Sequence, residues 1–196
     1  MSRLRLLIPI LIFLMWFGFR YSPHTTTTPV TTGNPIAWMT FEEAVEATKI
    51  NPKKILVSVH TEWCGWCKHM DRTTFQDSQI VAFINQHFYP VKLDAEQKTD
   101  ITTSEKVYKF PKVSGKERGF HELAVALTMG RLTLPSTVFL DENVRVLQPI
   151  PGYKDPKTFE MIMTYYGNDH FKSIPWTTYQ KDYIPLKKLK ASLISE

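Results

Sequence analysis

The spacing of hydrophobic positions changes along the chain between that of helices and that of buried strands. Thr40 and Glu43 form the pattern of a capping box, and the apolar stripe that follows them predicts a helix over 41–50. The run ILVSVH at 55–60 is short, apolar and β-branched, as in a central strand that is buried on both faces. The same criteria predict further helices at 64–70, 80–88, 120–129 and 156–166 and further strands at 88–93, 137–140 and 144–150.

The order of these elements predicts the fold class. Between residues 36 and 166 the predicted order is helix, strand, helix, strand, helix, β-hairpin and helix. The hairpin loop has about three residues and lies at 141–143. Such an alternation predicts an α/β domain over 36–166, with a mixed central sheet flanked by helices on both faces. Residues 95–119 lack clear periodicity and are interpreted as an inserted loop region, and residues 167–196 as a C-terminal extension.

The N-terminal segment has the pattern of an export signal. Arg3 and Arg5 precede residues 6–19, a run of fourteen residues without a charged side chain. As a helix this run spans about 21 Å, less than a bilayer core of about 30 Å, which favours a cleaved signal. No A-x-A cleavage site follows it, so an uncleaved anchor that attaches the protein to the membrane through residues 1–21 is the second interpretation. Residues 22–35, rich in threonine and proline, are interpreted as an extended linker.

The charge distribution argues against nucleic acid as a partner. The chain has 24 Lys+Arg and 19 Asp+Glu, a formal net charge of +5, but three of the basic residues, Arg3, Arg5 and Arg20, lie in the N-terminal segment. From residue 36 onward 21 basic and 19 acidic residues leave a net charge of only +2. No stripe of basic residues interleaved with aromatic ones follows, so no nucleic-acid surface is predicted.

The two cysteines, Cys64 and Cys67, supply the candidate chemistry. Because the chain has only these two, a framework of several disulfides and four-cysteine zinc or iron–sulfur sites are excluded. Their spacing at the start of a helix brings the Cβ atoms to about 5–6 Å, close enough for a redox-active disulfide after a small adjustment. Cys64 lies at the helix N-terminus, where the macrodipole stabilises a thiolate and lowers its pKa below about 8.5. Cys64 is therefore the predicted attacking sulfur, and Cys67, one turn further on and more buried, the resolving one.

The neighbours of the cysteines predict a site open to another protein. Gly65 keeps the turn accessible to a partner chain, and Trp63 and Trp66 form an apolar rim around it. These three residues are the predicted substrate-binding positions on the helix side of the site.

This segment resembles the active site of the thioredoxin superfamily, whose pattern W-C-x-x-C-K is matched by residues 63–68. Such domains carry a cis-proline opposite the cysteines, just before a strand, and Pro135 occupies that place. Lys92 and Gly152 also fall where such domains have lysine and glycine. The run HTEWCGWCKHMDRTTF is similar to exported bacterial thioredoxin-like proteins of the periplasm or membrane, and the resemblance covers about residues 37–166.

The resemblance implies an exported, periplasmic thiol:disulfide oxidoreductase that reduces or oxidises cysteines of other exported proteins, without a metal or other cofactor. Cys64 would attack a substrate disulfide, the mixed disulfide would form against Pro135 and the tryptophan rim, and Cys67 would resolve it. Such a cycle needs protein substrates with disulfides or thiols, and an electron donor or acceptor that the sequence does not identify.

One position departs from the thioredoxin pattern. A buried aspartate stands six positions before the first cysteine of thioredoxins, where this chain has Ser58. A hydroxyl is not a general base near neutral pH, so Cys67 is expected either to pass its proton to water, Glu62 or Lys92 or to lose it slowly.

Two other functions fit the same residues. Cys64, Cys67, His69 and Met70 are ligand types that suit copper, which predicts a copper-binding module as one alternative. A non-enzymatic, partner-binding module on a thioredoxin fold is the other.

Overall fold

The computed structural model describes residues 35–113, 116–117 and 119–194, all within the compact unit Thr32–Glu196. The predicted export signal and all but the last residue of the predicted linker lie outside the described residues. Within the described ranges, no helix is both long enough and apolar enough to cross a membrane.

The chain forms eight strands and seven α-helices over the described residues. In chain order they are α1 Phe41–Ile50, β1 Lys54–His60, α2 Gly65–Arg72, α3 Ser78–His87, β2 Phe88–Asp94, β3 Ile101–Thr102, β4 Val107–Tyr108, β5 Lys112–Val113, β6 Lys116–Glu117, α4 Glu122–Leu127, β7 Ser136–Leu140, β8 Val146–Pro151, α5 Pro156–Gly167, α6 Trp176–Asp182 and α7 Leu186–Ile194.

The central sheet is mixed and has the order β2-β1-β7-β8. Strand β1 is parallel to β2 and antiparallel to β7, and β7 is antiparallel to β8. A parallel pair next to an antiparallel hairpin is the α/β arrangement that the element order predicts, and the prediction is confirmed.

Alternate residues of β1 face two separate cores. Ile55, Val57 and Val59 belong to the core formed with α1 and α4. Leu56 belongs to the core formed with α2, α3 and α5. The helices therefore flank both faces of the sheet, as predicted. Because side chains alternate along a strand, Ser58 lies on the same face as Leu56, the face that α2 covers.

Side-chain caps fix where the helices begin. The Thr40 hydroxyl accepts a hydrogen bond from the Glu43 backbone N–H, and the Glu43 carboxylate accepts one from the Thr40 N–H, which confirms the predicted capping box. At α3 the Asp77 carboxylate accepts hydrogen bonds from two backbone N–H groups of the first turn. These caps satisfy N–H groups that have no partner within the helix.

Two predicted bounds are wrong for reasons of local hydrogen bonding. Helix α4 is shorter than 120–129, because His121 caps its start through Nδ1 and Met129 leaves the helical region with a φ of 52°. The hairpin loop covers residues 141–145 instead of three residues. The Asp141 carboxylate accepts hydrogen bonds from the backbone N–H groups of Asn143 and Arg145, which folds the longer loop around that side chain.

Residues 95–119, expected as an inserted loop, contain two small antiparallel sheets, β3–β4 and β5–β6. Each of these strands has only two residues, too few to show the alternation by which a strand is predicted from sequence.

The C-terminal extension packs against the domain. Trp176 and Leu186 join the core beside α5. The Glu160 carboxylate of α5 accepts hydrogen bonds from the Tyr183 hydroxyl and from the Leu186 backbone N–H. Burial and the bond to Glu160 raise the pKa of Tyr183, so its hydroxyl stays protonated and continues to donate.

A buried lysine joins three parts of the chain at the end of the sheet opposite the cysteines. Lys54, only 5% exposed, places Nζ 2.8 Å from the carboxylate of Glu142 and 2.8 Å from that of Asp169. Burial alone would lower the pKa of Lys54, but the two carboxylates outweigh it and the pKa is raised. The ion pairs connect β1 to the hairpin loop and to the start of the C-terminal extension.

Replacing Lys54 with methionine should lower the free energy of unfolding by about 1–3 kcal/mol near neutral pH, because Glu142 loses its cation and Asp169 keeps only Lys172, 2.9 Å away. Both carboxylates are partly exposed, so solvent screening keeps the loss at the lower end of that range. Burial alone would raise the pKa of Glu142 and of Asp169, but pairing with Lys54, and for Asp169 also with Lys172, outweighs it and both are lowered. The stabilisation is therefore present at neutral pH and is lost as the pH falls below about 4. Urea unfolding at neutral and acidic pH measures both effects.

Lys49→Met provides the control, because Lys49 pairs with Glu46 at 2.6 Å on the exposed surface of α1. Its effect on the free energy of unfolding should stay below about 0.5 kcal/mol. Equal losses for the two substitutions would contradict a stabilising role for the buried lysine.

Candidate active site

The two cysteines are joined by a disulfide at the start of α2. Cys64 is the N-cap residue, and its Sγ is bonded to that of Cys67 with a Cα–Cα distance of 5.3 Å. The turn that leads from β1 into α2 is closed by a hydrogen bond from the Cys64 N–H to the Thr61 carbonyl, 3.2 Å long. The site thus lies where the carboxyl end of a central strand meets a helix N-terminus.

The backbone of α2 provides a donor to the first sulfur. The N–H of Cys67 lies 3.1 Å from Cys64 Sγ, which takes the place of the usual oxygen cap. When the disulfide is reduced, this donor and the helix macrodipole favour the thiolate form of Cys64. The two cysteines are 5% and 4% exposed, so the expected difference in burial is absent while the disulfide holds both sulfurs in the same turn.

The residues around the disulfide form an exposed apolar rim. Trp63 is 64% and Trp66 is 62% exposed, unusually high values for such large side chains. The Trp63 indole N–H donates to the Glu96 carboxylate at 2.9 Å, which fixes the ring beside Cys64. A side-chain carbon at Gly65 would meet no atom within 4 Å, so the turn between the tryptophans is open.

Trp66 belongs to a triangle of aromatic rings. Its centroid lies 5.6 Å from that of His69 and 5.5 Å from that of Tyr153, and the last two are 5.0 Å apart. Sequence reasoning did not place Tyr153 at the site. The sequence contains two signals for this aromatic cluster. His69 stands three residues after Trp66 on one helix face, and Tyr153 directly follows Gly152.

The proline that the resemblance implies lies at the same end of the sheet as the disulfide, because Ser136, the residue after it, pairs with Val59 near the end of β1. The Leu134–Pro135 peptide bond is cis, and β7 begins at the next residue. The Pro135 carbonyl accepts a hydrogen bond of 2.8 Å from the Gly152 N–H. Gly152 has a φ of 77°, a conformation that favours glycine. Through Gly152 the proline segment is adjacent to Tyr153, and so to the aromatic triangle.

The candidate proton acceptors for Cys67 have different surroundings. Ser58 is 4% exposed and lies opposite Lys92 in the register of β1 and β2. Glu62 is exposed in the turn before Cys64. Lys92 Nζ is 2.7 Å from the carboxylate of Asp71, a residue of α2 that sequence reasoning did not consider. The sequence signal for Asp71 is its position four residues after Cys67, on the same side of the helix.

The copper alternative requires His69 and Met70 beside the two cysteines, but both side chains pack elsewhere. Met70 is 1% exposed and packs in the core between the sheet and α2, whereas His69 packs in the aromatic triangle. Among the residues that the structure describes, no group of three or more His, Cys, Asp or Glu side chains is arranged to hold a metal ion.

Comparison with known proteins identifies relatives of the domain. A family model, Thioredox_DsbH, described as a protein of unknown function, DUF255, matches residues 26–164. An uncharacterized protein of Caenorhabditis elegans is 31% identical over 96 residues, which are 48% of this chain and 13% of that protein. The disulfide bond reductase DsbH of Chlamydia pneumoniae is 33% identical over 73 residues, 37% of this chain and 43% of that protein. The chain thus spans less than half the length of either relative.

A solved structure, titled DsbH Oxidoreductase, superposes with a TM-score of 0.51 and 19% sequence identity, covering 72% of this chain and 90% of that one. At this identity the similarity shows the fold alone.

Proposed function

Since this chain belongs to the Thioredox_DsbH (DUF255) family and has a thioredoxin-like fold, we propose that it is an exported thiol:disulfide oxidoreductase acting on other exported proteins. The observation that carries the proposal is the Cys64–Cys67 disulfide at the N-terminus of α2, at the same end of the sheet as the Pro135 segment and rimmed by exposed tryptophans. A sulfur pair that only stabilised the fold would need no open, apolar surface around it.

The reaction follows from the different positions of the two sulfurs. In the reduced protein the Cys64 thiolate, stabilised by the Cys67 N–H, attacks one sulfur of a substrate disulfide and releases the other as a thiol. The Cys67 thiolate then attacks Cys64, which forms the intramolecular disulfide and releases the second substrate thiol. Two electrons pass from the enzyme to the substrate, and an external dithiol reductant must restore the enzyme.

Substrate binding is assigned to Trp63, Gly65, Trp66 and Pro135. The exposure of Trp63 and Trp66 and the open space at Gly65 suit an extended polypeptide that approaches the disulfide. Pro135 itself is buried, and the segment that it begins offers backbone to such a polypeptide. The apolar rings offer contact area to side chains that flank a substrate cysteine.

We assign the reductive direction to the protein. The relative from Chlamydia pneumoniae is named a disulfide bond reductase, and its similarity to this chain supports that direction. The same steps run backwards would oxidise a substrate, so the direction depends on the relative free energies of the two redox states.

Cysteine variants test the proposed function in the full chain. The reduced protein should reduce the interchain disulfides of insulin, and Cys64→Ala should abolish this activity because the attacking sulfur is lost. Cys67→Ser should retain attack but lose resolution, so covalent complexes with insulin chains should accumulate and dissolve when dithiothreitol is added. Non-reducing gels and mass spectrometry measure the complexes.

The double variant Cys64→Ala, Cys67→Ser provides the control and should neither reduce insulin nor form complexes. Trapping by Cys64→Ala instead of Cys67→Ser would reverse the assigned roles. A copper-binding module would behave differently, because losing either sulfur would weaken copper(I) binding to a similar extent and no complex would form.

Export is a separate part of the proposal and rests on the N-terminal sequence. Arg3, Arg5 and the uncharged run at 6–19 support a signal sequence, and residues 22–35 would link it to the domain. Fractionation of a bacterium that expresses the full chain should place the domain in the periplasm, soluble after cleavage or bound to the membrane through residues 1–21. Recovery of the intact chain from the cytosol alone would contradict export.

A further inference from the structure

The sheet beneath α2 carries a row of polar and charged side chains. Leu56 of β1 packs in the core under α2, so Ser58 and His60, two and four residues later, follow it on that face. In the parallel register Ser58 is the partner of Lys92 and His60 the partner of Asp94. The end of the sheet nearest the disulfide is therefore polar on the side that faces Cys67.

One carboxylate on α2 meets this row. Asp71 Oδ2 lies 2.7 Å from Lys92 Nζ, and both side chains are about one third exposed, at 33% and 30%. Asp71 follows Cys67 by four residues, which places their Cβ atoms about 6 Å apart on one side of the helix. The ion pair thus holds a carboxylate on the same side of α2 as Cys67.

We propose that Asp71, held in place by Lys92, accepts the proton of the Cys67 thiol when Cys67 resolves the mixed disulfide, an assignment that rests on the proposed function. The S–H bond of Cys67 breaks and its proton passes to the Asp71 carboxylate. The Cys67 thiolate forms a bond to Cys64 Sγ while the bond between Cys64 and the substrate sulfur breaks. The substrate leaves as a thiolate, which takes up a proton, and Asp71 returns its own proton to solvent.

The other groups near Cys67 are less suited to this role. The Ser58 hydroxyl does not accept a proton near neutral pH. Lys92 Nζ is the donor in the ion pair with Asp71, so it offers no acceptor. Glu62 is exposed in the turn before Cys64. His60 lies at the end of β1, opposite Asp94, whereas Asp71 is fixed to the same helix as Cys67.

The reaction of the reduced full chain with dithiobis(nitrobenzoate), a chromogenic aryl disulfide, separates the two steps. Attack by Cys64 releases one equivalent of chromophore, and resolution by Cys67 releases a second. The leaving aryl thiolate needs no proton, so the second rate reports on deprotonation and attack by Cys67. Asp71→Asn should slow the second release by about tenfold or more at neutral pH and leave the first within about twofold. Its second rate should also rise with hydroxide concentration, as expected when solvent replaces the carboxylate.

Asp71→Glu retains a carboxylate and should recover a large part of the second rate. Asp182→Asn, which removes the same charge from the exposed surface of α6, should change neither rate. Equal second rates for the unmodified protein and Asp71→Asn would overturn the assignment to Asp71 while leaving the proposed function intact. A slowed second release in His60→Gln but not in Asp71→Asn would overturn it in favour of the imidazole. Absence of a second release from the unmodified protein would overturn the proposed function as well.

Discussion

The chemistry of this domain depends on the unpaired N–H groups in the first turn of α2. A helix start needs acceptors for these groups, and oxygen side chains usually provide them. Here the acceptor is the sulfur of Cys64, which lies 3.1 Å from the Cys67 nitrogen. One contact therefore caps the helix and, in the proposed mechanism, stabilises the negative charge of the attacking sulfur. The buried strand β1 fixes this turn in space, because both of its faces are covered by helices.

The proposed chemistry also depends on a difference in polarity between the two sides of the disulfide. On the outer side lie open space and exposed tryptophans, which suit a polypeptide partner. On the inner side lies the polar end of the sheet, with the ion pair between Lys92 and Asp71. In the proposed mechanism Cys64 reacts with the substrate on the outer side, and Cys67 passes its proton to a group on the inner side. The sheet has Ser58 where thioredoxins have a buried aspartate. In the proposed mechanism the carboxylate of Asp71, on α2, takes the place of that aspartate.

The elements that position the site were predictable because their signals are local. A β-branched run, a capping box and an i, i+3 pair of cysteines each determine structure within a few residues, and β1, α1 and the turn at Cys64 follow them. The small sheets in 95–119 were missed because two-residue strands carry no periodicity. Tyr153 and Asp71 join the site through contacts with Trp66 and Lys92, which are distant in sequence or lie on another element. Such contacts depend on the packing of the whole domain, and no local sequence pattern predicts them.

The reduction potential of the Cys64–Cys67 pair, measured in the full chain by equilibration with glutathione of defined redox ratio, tests the central claim most directly. A strongly oxidising pair requires a reduced form that is heavily stabilised, whereas a reductant keeps a stable disulfide. Because the proposed direction is reductive, we predict a reversible two-electron couple near the thioredoxin value of about −270 mV. A potential near about −120 mV, or a disulfide that does not equilibrate with glutathione at all, would contradict it.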